Sequence, residues 1–80
     1  MKQTNSSTPR PVKVRAVPIE LCQFLKFGGL TESGGEAKTA INEGLVVLNG
    51  VVETQKRKKI MCGDVIEFDA VKYTVKLGQA

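Results

Sequence analysis

The apolar positions of this chain switch between two periods. From Val12 to Val17 they alternate, with Val12, Val14 and Ala16 on one side and Lys13, Arg15 and Val17 on the other. That predicts a short half-buried strand, suited to a sheet edge because its cations discourage further pairing. Pro18 closes it and pre-sets the backbone for a helix. From Ile19 to Phe27 the spacing is helical, with Leu21, Phe24 and Leu25 at i, i+3 and i+4, Cys22 beside them and Glu20 in the first turn. Gly28-Gly29 stops this helix, one glycine supplying a left-handed cap, and Leu30 returns to the core. A second helix follows at once. Ser33-Gly34-Gly35-Glu36 fits a capping box, Ala37, Ala40 and Ile41 form the apolar stripe, and Gly44 ends it.

The remainder reads as sheet. Val46-Val47-Leu48 and Val51-Val52-Glu53 flank Asn49-Gly50, a strong hairpin signal because both turn residues tolerate positive φ. Thr54 to Lys59 is a polar, charged loop and Ile60 re-enters the core. Gly63-Asp64 makes a turn before a strand at Val65–Phe68. After Asp69-Ala70, Val71, Tyr73, Val75 and Leu77 alternate with Lys72, Thr74 and Lys76. The order is β-α-α-β-β-β-β. The fold class is therefore α+β, two short helices packed on one side of a small, mostly antiparallel sheet of four to five strands. Residues 1–11, polar and with two prolines, read as a flexible tail. Residues 12–80 read as a single domain.

Composition permits such a core. Leu, Ile, Val and Phe make up 23 of the 80 residues, or 29 %, above the roughly 20 % below which disorder is expected. It also excludes several chemistries. The chain has no His, so an imidazole base, a His-based triad and a His-ligated metal are all ruled out. Cys22 and Cys62 match no metal-ligand spacing and read as small core residues, as do Phe24, Phe27 and Phe68. No disulfide is expected, because no signal-peptide pattern points to an oxidising compartment. The longest apolar run, Leu45 to Leu48, is far shorter than the ~20 residues of a membrane helix. A cytoplasmic binding module without cofactor or metal is expected. No pairing among Glu36, Asp64, Asp69 and the cysteines argues for an enzyme.

The net charge of +4 is unevenly placed. Residues 1–15 carry +4, residues 16–55 carry −3 and residues 56–80 carry +3. The densest point is Lys56-Arg57-Lys58-Lys59, which fits either a solvated loop or an anionic partner. The second helix start adds an independent hint. Gly34 and Gly35 are costly in a first turn, roughly 1 kcal/mol each against alanine. They leave its amides open to a phosphate, with Lys38 one turn along. Equally, they fit tight packing of the two helices against each other.

The series Leu25…Gly29-Leu30…Ser33…Glu36-Ala37-Lys38…Ile41…Gly44-Leu45-Val46-Val47-Leu48-Asn49-Gly50…Ile60…Gly63-Asp64-Val65-Ile66 resembles the RNA-binding domain named after small-subunit ribosomal protein four, the alpha-L motif. The likeness covers about residues 19–68, and the glycine-rich helix start followed by a basic run is similar to its small stand-alone bacterial members. The resemblance implies a domain that binds structured RNA, ribosomal or transfer, and the chain is expected to act as a monomer, without membrane association, in ribosome assembly or translation. The resemblance carries contacts over to Lys38, Arg57 and Lys58, with Lys26 on the same face, and the open helix start and the basic run add Gly34, Gly35, Lys56 and Lys59 as candidate RNA contacts. Gly35 falls where many members carry arginine, which shifts that contact to backbone amides or Lys38. The alternative is a protein-interaction module whose basic face docks on an acidic partner, such as a ribosome-associated protein.

Overall fold

A computed structural model of the chain describes residues 8–78. The elements are β1 (Arg10–Val14), β2 (Ile19–Glu20), α1 (Leu21–Phe27), α2 (Gly34–Asn42), β3 (Val46–Leu48), β4 (Val51–Val52), β5 (Lys59–Ile60), β6 (Val65–Phe68) and β7 (Val71–Leu77). Five strands form one sheet in the order β1-β7-β6-β3-β4, while β2 and β5 pair separately. The fold is α+β, as the periodicity predicts. Every pairing is antiparallel except β1 with β7, where Val12 lies beside Val75 and Val14 beside Leu77.

One apolar cluster joins the layers. Leu21, Cys22, Phe24 and Leu25 of α1 and Ala37, Ala40 and Ile41 of α2 are buried together with Val14, Val46, Leu48, Ile66 and Val75 of the sheet. The sheet's outer face mixes polar and apolar side chains, one row running Val52, Val47, Glu67 and Lys72 across four strands. Gly28 marks a close approach of α1 to β1. A Cβ there would stand 2.9 Å from the Phe24 carbonyl oxygen and from Val12 Cγ1, so β1 seats against the end of α1 only because no side chain intervenes.

Both helices end alike. The Gly29 amide donates to the Lys26 carbonyl and the Leu30 amide to that of Leu25; likewise Gly44 bonds to Ile41 and Leu45 to Ala40. Gly29 and Gly44 sit at φ 76° and 77°, the left-handed conformation this cap demands. The β3–β4 turn has Asn49 at φ 51° and Gly50 at 86°. Asn49 also fastens it to the next turn: its amide donates to Val65 O (2.7 Å), its Oδ1 accepts from Val65 N (2.9 Å) and its Nδ2 donates to Asp64 Oδ1 (3.2 Å). Asp64 Oδ2 accepts the Met61 amide at 2.8 Å. The Asn-Gly and Gly-Asp motifs are thus two halves of one clasp.

Several expectations need correcting. β1 begins at Arg10 and ends at Val14, so Arg10 and Pro11 belong to the strand while Ala16 is exposed. The expected tail otherwise falls largely on residues 1–7, outside the described residues. Helix α1 starts at Leu21, because Ile19 and Glu20 pair with Ile60 and Lys59 instead; Glu20 is thus its N-cap, not a first-turn residue. Phe27 is 66 % exposed. It lies off the arc that buries Leu21, Phe24 and Leu25, and shares the outward face with Gln23, four residues before it. Both cysteines are free, but only Cys22 is buried; Cys62 rides outward on the turn that Asp64 ties down.

The β6–β7 turn holds Asp69 at φ 56° and Ala70 at φ 64°. Alanine is strained there. Ala70→Gly is therefore expected to stabilise the domain by about 0.5–1 kcal/mol, while Gly50→Val, at φ 86°, costs about 1–2 kcal/mol. Thermal denaturation should show the two midpoints moving in opposite directions, each by several degrees.

Candidate functional site

The basic loop is anchored through its backbone. At the start of α1 the Leu21 amide donates to the Lys58 carbonyl at 2.9 Å and the Cys22 amide to the Lys56 carbonyl at 3.1 Å. A helix start ordinarily needs a side-chain cap for such amides. Glu20 provides none, and the loop supplies the acceptors. The Lys58 amide donates in turn to the Gln55 carbonyl at 3.1 Å, and Lys59 pairs with Glu20 in the β2–β5 ribbon. With its peptide groups held inward, the loop leaves the side chains of Lys56, Arg57, Lys58 and Lys59 exposed.

Opposite stands α2. Lys38 and Asn42, four residues apart on one helical face, line an open groove of about 330 Å³ together with Thr54, Gln55, Lys56 and Arg57. Its walls hold three cations, three neutral polar side chains and no carboxylate. A concave surface of one sign raises the local concentration of counter-charged ligands. One turn before Lys38 lies Gly34, and a Cβ there would come within 3.7 Å of Lys26 Cδ. Lys26, Gly34, Lys38, Lys56 and Arg57 thus form one continuous band. Lys58 and Lys59 extend the band's loop edge but do not line the groove.

The α2 start departs slightly from expectation. Ser33 Oγ accepts the Glu36 amide at 3.1 Å, as the capping box predicts, but Glu36 Oε1 accepts the amide of Glu32 (2.6 Å), one residue before the cap. Among the described residues the Gly34 and Gly35 amides have no hydrogen-bond partner. Neither glycine is required by packing. A Cβ at Gly35 meets only Ser33 Oγ at 3.9 Å, and neither residue has positive φ. Tight helix packing therefore does not explain them.

Sequence reasoning missed Asn42, Thr54 and Gln55 as groove residues. Asn42 carried a signal in its spacing of four from Lys38. The other two are placed by the loop's bonds to α1, which no sequence pattern announces. Among the described residues no cluster of three metal-ligating side chains occurs, and no helix is long and apolar enough to cross a membrane.

The model of the S4 domain family matches residues 12–76, nearly the whole described chain and wider than the expected 19–68. The chain belongs to the S4 domain family. YbcJ of Escherichia coli (strain K12) is 52 % identical over 50 residues, which is 62 % of this chain and 71 % of that protein. The solution structure of E. coli YbcJ, described as revealing an αL motif involved in RNA binding, superposes with a TM-score of 0.65 at 38 % identity, covering 94 % of this chain and 96 % of that one. A second relative, named "Probable ribosome maturation protein RlbA", from Bacillus subtilis (strain 168), is 34 % identical over 59 residues, or 74 % of this chain and 83 % of that protein. The α+β fold described above is thus shared with a structure that carries the αL motif.

Replacing both Gly34 and Gly35 by alanine is expected to raise stability by about 0.5–1 kcal/mol per site, since helix propensity improves and nothing obstructs the new methyl groups. Chemical denaturation of the double variant checks this. A loss of stability would return the glycines to a packing role.

Proposed function

We propose that this protein binds structured RNA, of the ribosomal or transfer class, by docking its basic band on the phosphate backbone. The observation that carries the proposal is the acid-free groove in which Lys38 of α2 meets Lys56 and Arg57 of the loop. Residues distant in sequence supply a cationic surface that neither segment makes alone. Lys26 and the open start of α2 lengthen it, and Lys58 and Lys59 widen its edge. The RNA-binding description of the YbcJ structure and the ribosomal role in the name of RlbA support this reading. On this proposal the chain acts in ribosome assembly or translation in the cytoplasm, as a single copy and without a catalytic step.

Phosphate contacts of this kind supply affinity and orientation rather than base sequence. The deep major groove of A-form RNA also bars side chains from reading paired bases. Recognition on this band is therefore of helical shape and backbone. The cost is strong salt dependence, because each neutralised phosphate releases counterions.

If about five phosphates are neutralised, a plot of log K against log salt should fall with a slope of about −3.5 to −4.5. Fluorescence anisotropy on fragments of ribosomal RNA measures it, and a slope flatter than about −1 would contradict the proposal. Replacing Lys38 and Arg57 together by alanine should weaken binding about tenfold or more and flatten the slope by about 1.5–2. Lys72→Ala, on the outer sheet face opposite Glu67, should leave affinity within about twofold. Equal losses from both changes would place the RNA elsewhere.

A further inference from the structure

A second groove adjoins the basic band at the end of α1. It is open, about 570 Å³ in volume, and lined by Lys13, Arg15, Pro18, Gln23 and Phe27 among others. That volume lies within the range of small-ligand sites, ~300–1,000 Å³. Phe27 is its most unusual feature. Two-thirds of this aromatic residue faces solvent, although the helix that carries it buries four of its seven residues. The Lys26 ammonium lies over the ring, 5.6 Å from its centroid, and the stem of the same lysine neighbours Gly34 on the band. Lys26, though not part of the groove lining, thus links the groove's aromatic wall to the band.

We infer that this groove holds one unpaired nucleobase of the bound RNA, stacked on Phe27. The inference rests on the proposed RNA-binding function and adds a site to it. An exposed ring accepts the flat face of any base. Gln23, one turn earlier on the same face, offers both an amide donor and an acceptor to the base edge or the ribose hydroxyl. Lys13 and Arg15 on the β1 side and Lys26 on the α1 side supply positive charge for the flanking phosphates, and the groove is lined by no carboxylate. A base inside a helix cannot reach the ring, so the ligand is a nucleotide displaced from pairing, as in a bulge or loop. The band grips the helix beside it, and the groove captures the nucleotide that leaves it.

The test compares two RNA hairpins of equal length, one perfectly paired and one with a two-nucleotide bulge, by fluorescence anisotropy with the intact chain. Phe27→Ala, at an exposed position, is expected to lose about tenfold in affinity for the bulged hairpin and less than about twofold for the paired one. Phe27→Trp should keep the bulged-hairpin affinity. In a chain with no other tryptophan, its emission should be quenched by the bulged RNA and not by the paired RNA. Unchanged binding of the bulged hairpin by Phe27→Ala would overturn the stacking site and leave the RNA-binding function standing. Equal losses on both hairpins would also overturn it, assigning Phe27 to the helix backbone. If the unaltered protein bound neither hairpin, the RNA-binding function itself would fall, and the stacking site with it.

Discussion

Two backbone hydrogen bonds govern the geometry of this small domain: those from the Leu21 and Cys22 amides, at the start of α1, to the carbonyls of Lys58 and Lys56. They satisfy a helix start for which Glu20 gives no side-chain cap. They also fix a segment that would otherwise spread under its own charge. Four adjacent cations repel one another, and a loop of this composition has little apolar surface with which to hold itself. Anchoring through main-chain carbonyls resolves the conflict, because the groups that hold the loop are not the groups that face outward. Ile60, fully buried directly after the basic run, secures the loop's far end.

From that constraint the remaining architecture has a readable logic. Helix α1 is held at its start by the loop and at its end by the close seating of Gly28 on β1, so it forms a rigid post. Helix α2 packs against it through Ala37, Ala40 and Ile41, which turns Lys38 and Asn42 toward the loop. The Asn49–Asp64–Val65 clasp joins the β3–β4 hairpin to the start of β6. It keeps the two ends of the loop-bearing segment, Glu53 to Met61, at a fixed separation. The motifs that are most distinctive in the sequence, Asn-Gly and Gly-Asp, are therefore scaffold. The cations they position are dispersed through plain polar stretches.

This explains what could and could not be read from the residues alone. The helices, their glycine stops, the hairpin and the alternation of β7 were legible because each follows from local preference: helical or twofold spacing, a cap, or a positive φ. The α1 boundary was misplaced because Ile19 and Glu20 are claimed by a strand forty residues away, a pairing with no local signature. Phe27 was assigned to the core by residue type; the polarity of Gln23 on the same helical face was the better guide. The basic run and Lys38 were recognisable as chemistry, but their meeting in one groove depends on the loop's bonds to α1. The two glycines opening α2 remain costly residues without a packing reason. An exposed helix start that a phosphate can approach is the account consistent with their surroundings.

The central claim is that cations from α1, α2 and the loop act as one surface. The most direct measurement is an NMR titration of the isotopically labelled protein with an RNA hairpin, following backbone amides together with the Arg57 side-chain resonance. The account predicts perturbations concentrated at Lys26, Gly34 to Asn42 and Thr54 to Lys59, with the outer sheet face around Glu67 and Lys72 silent. Perturbations centred on that face, with Lys38 and Arg57 unmoved, would contradict it.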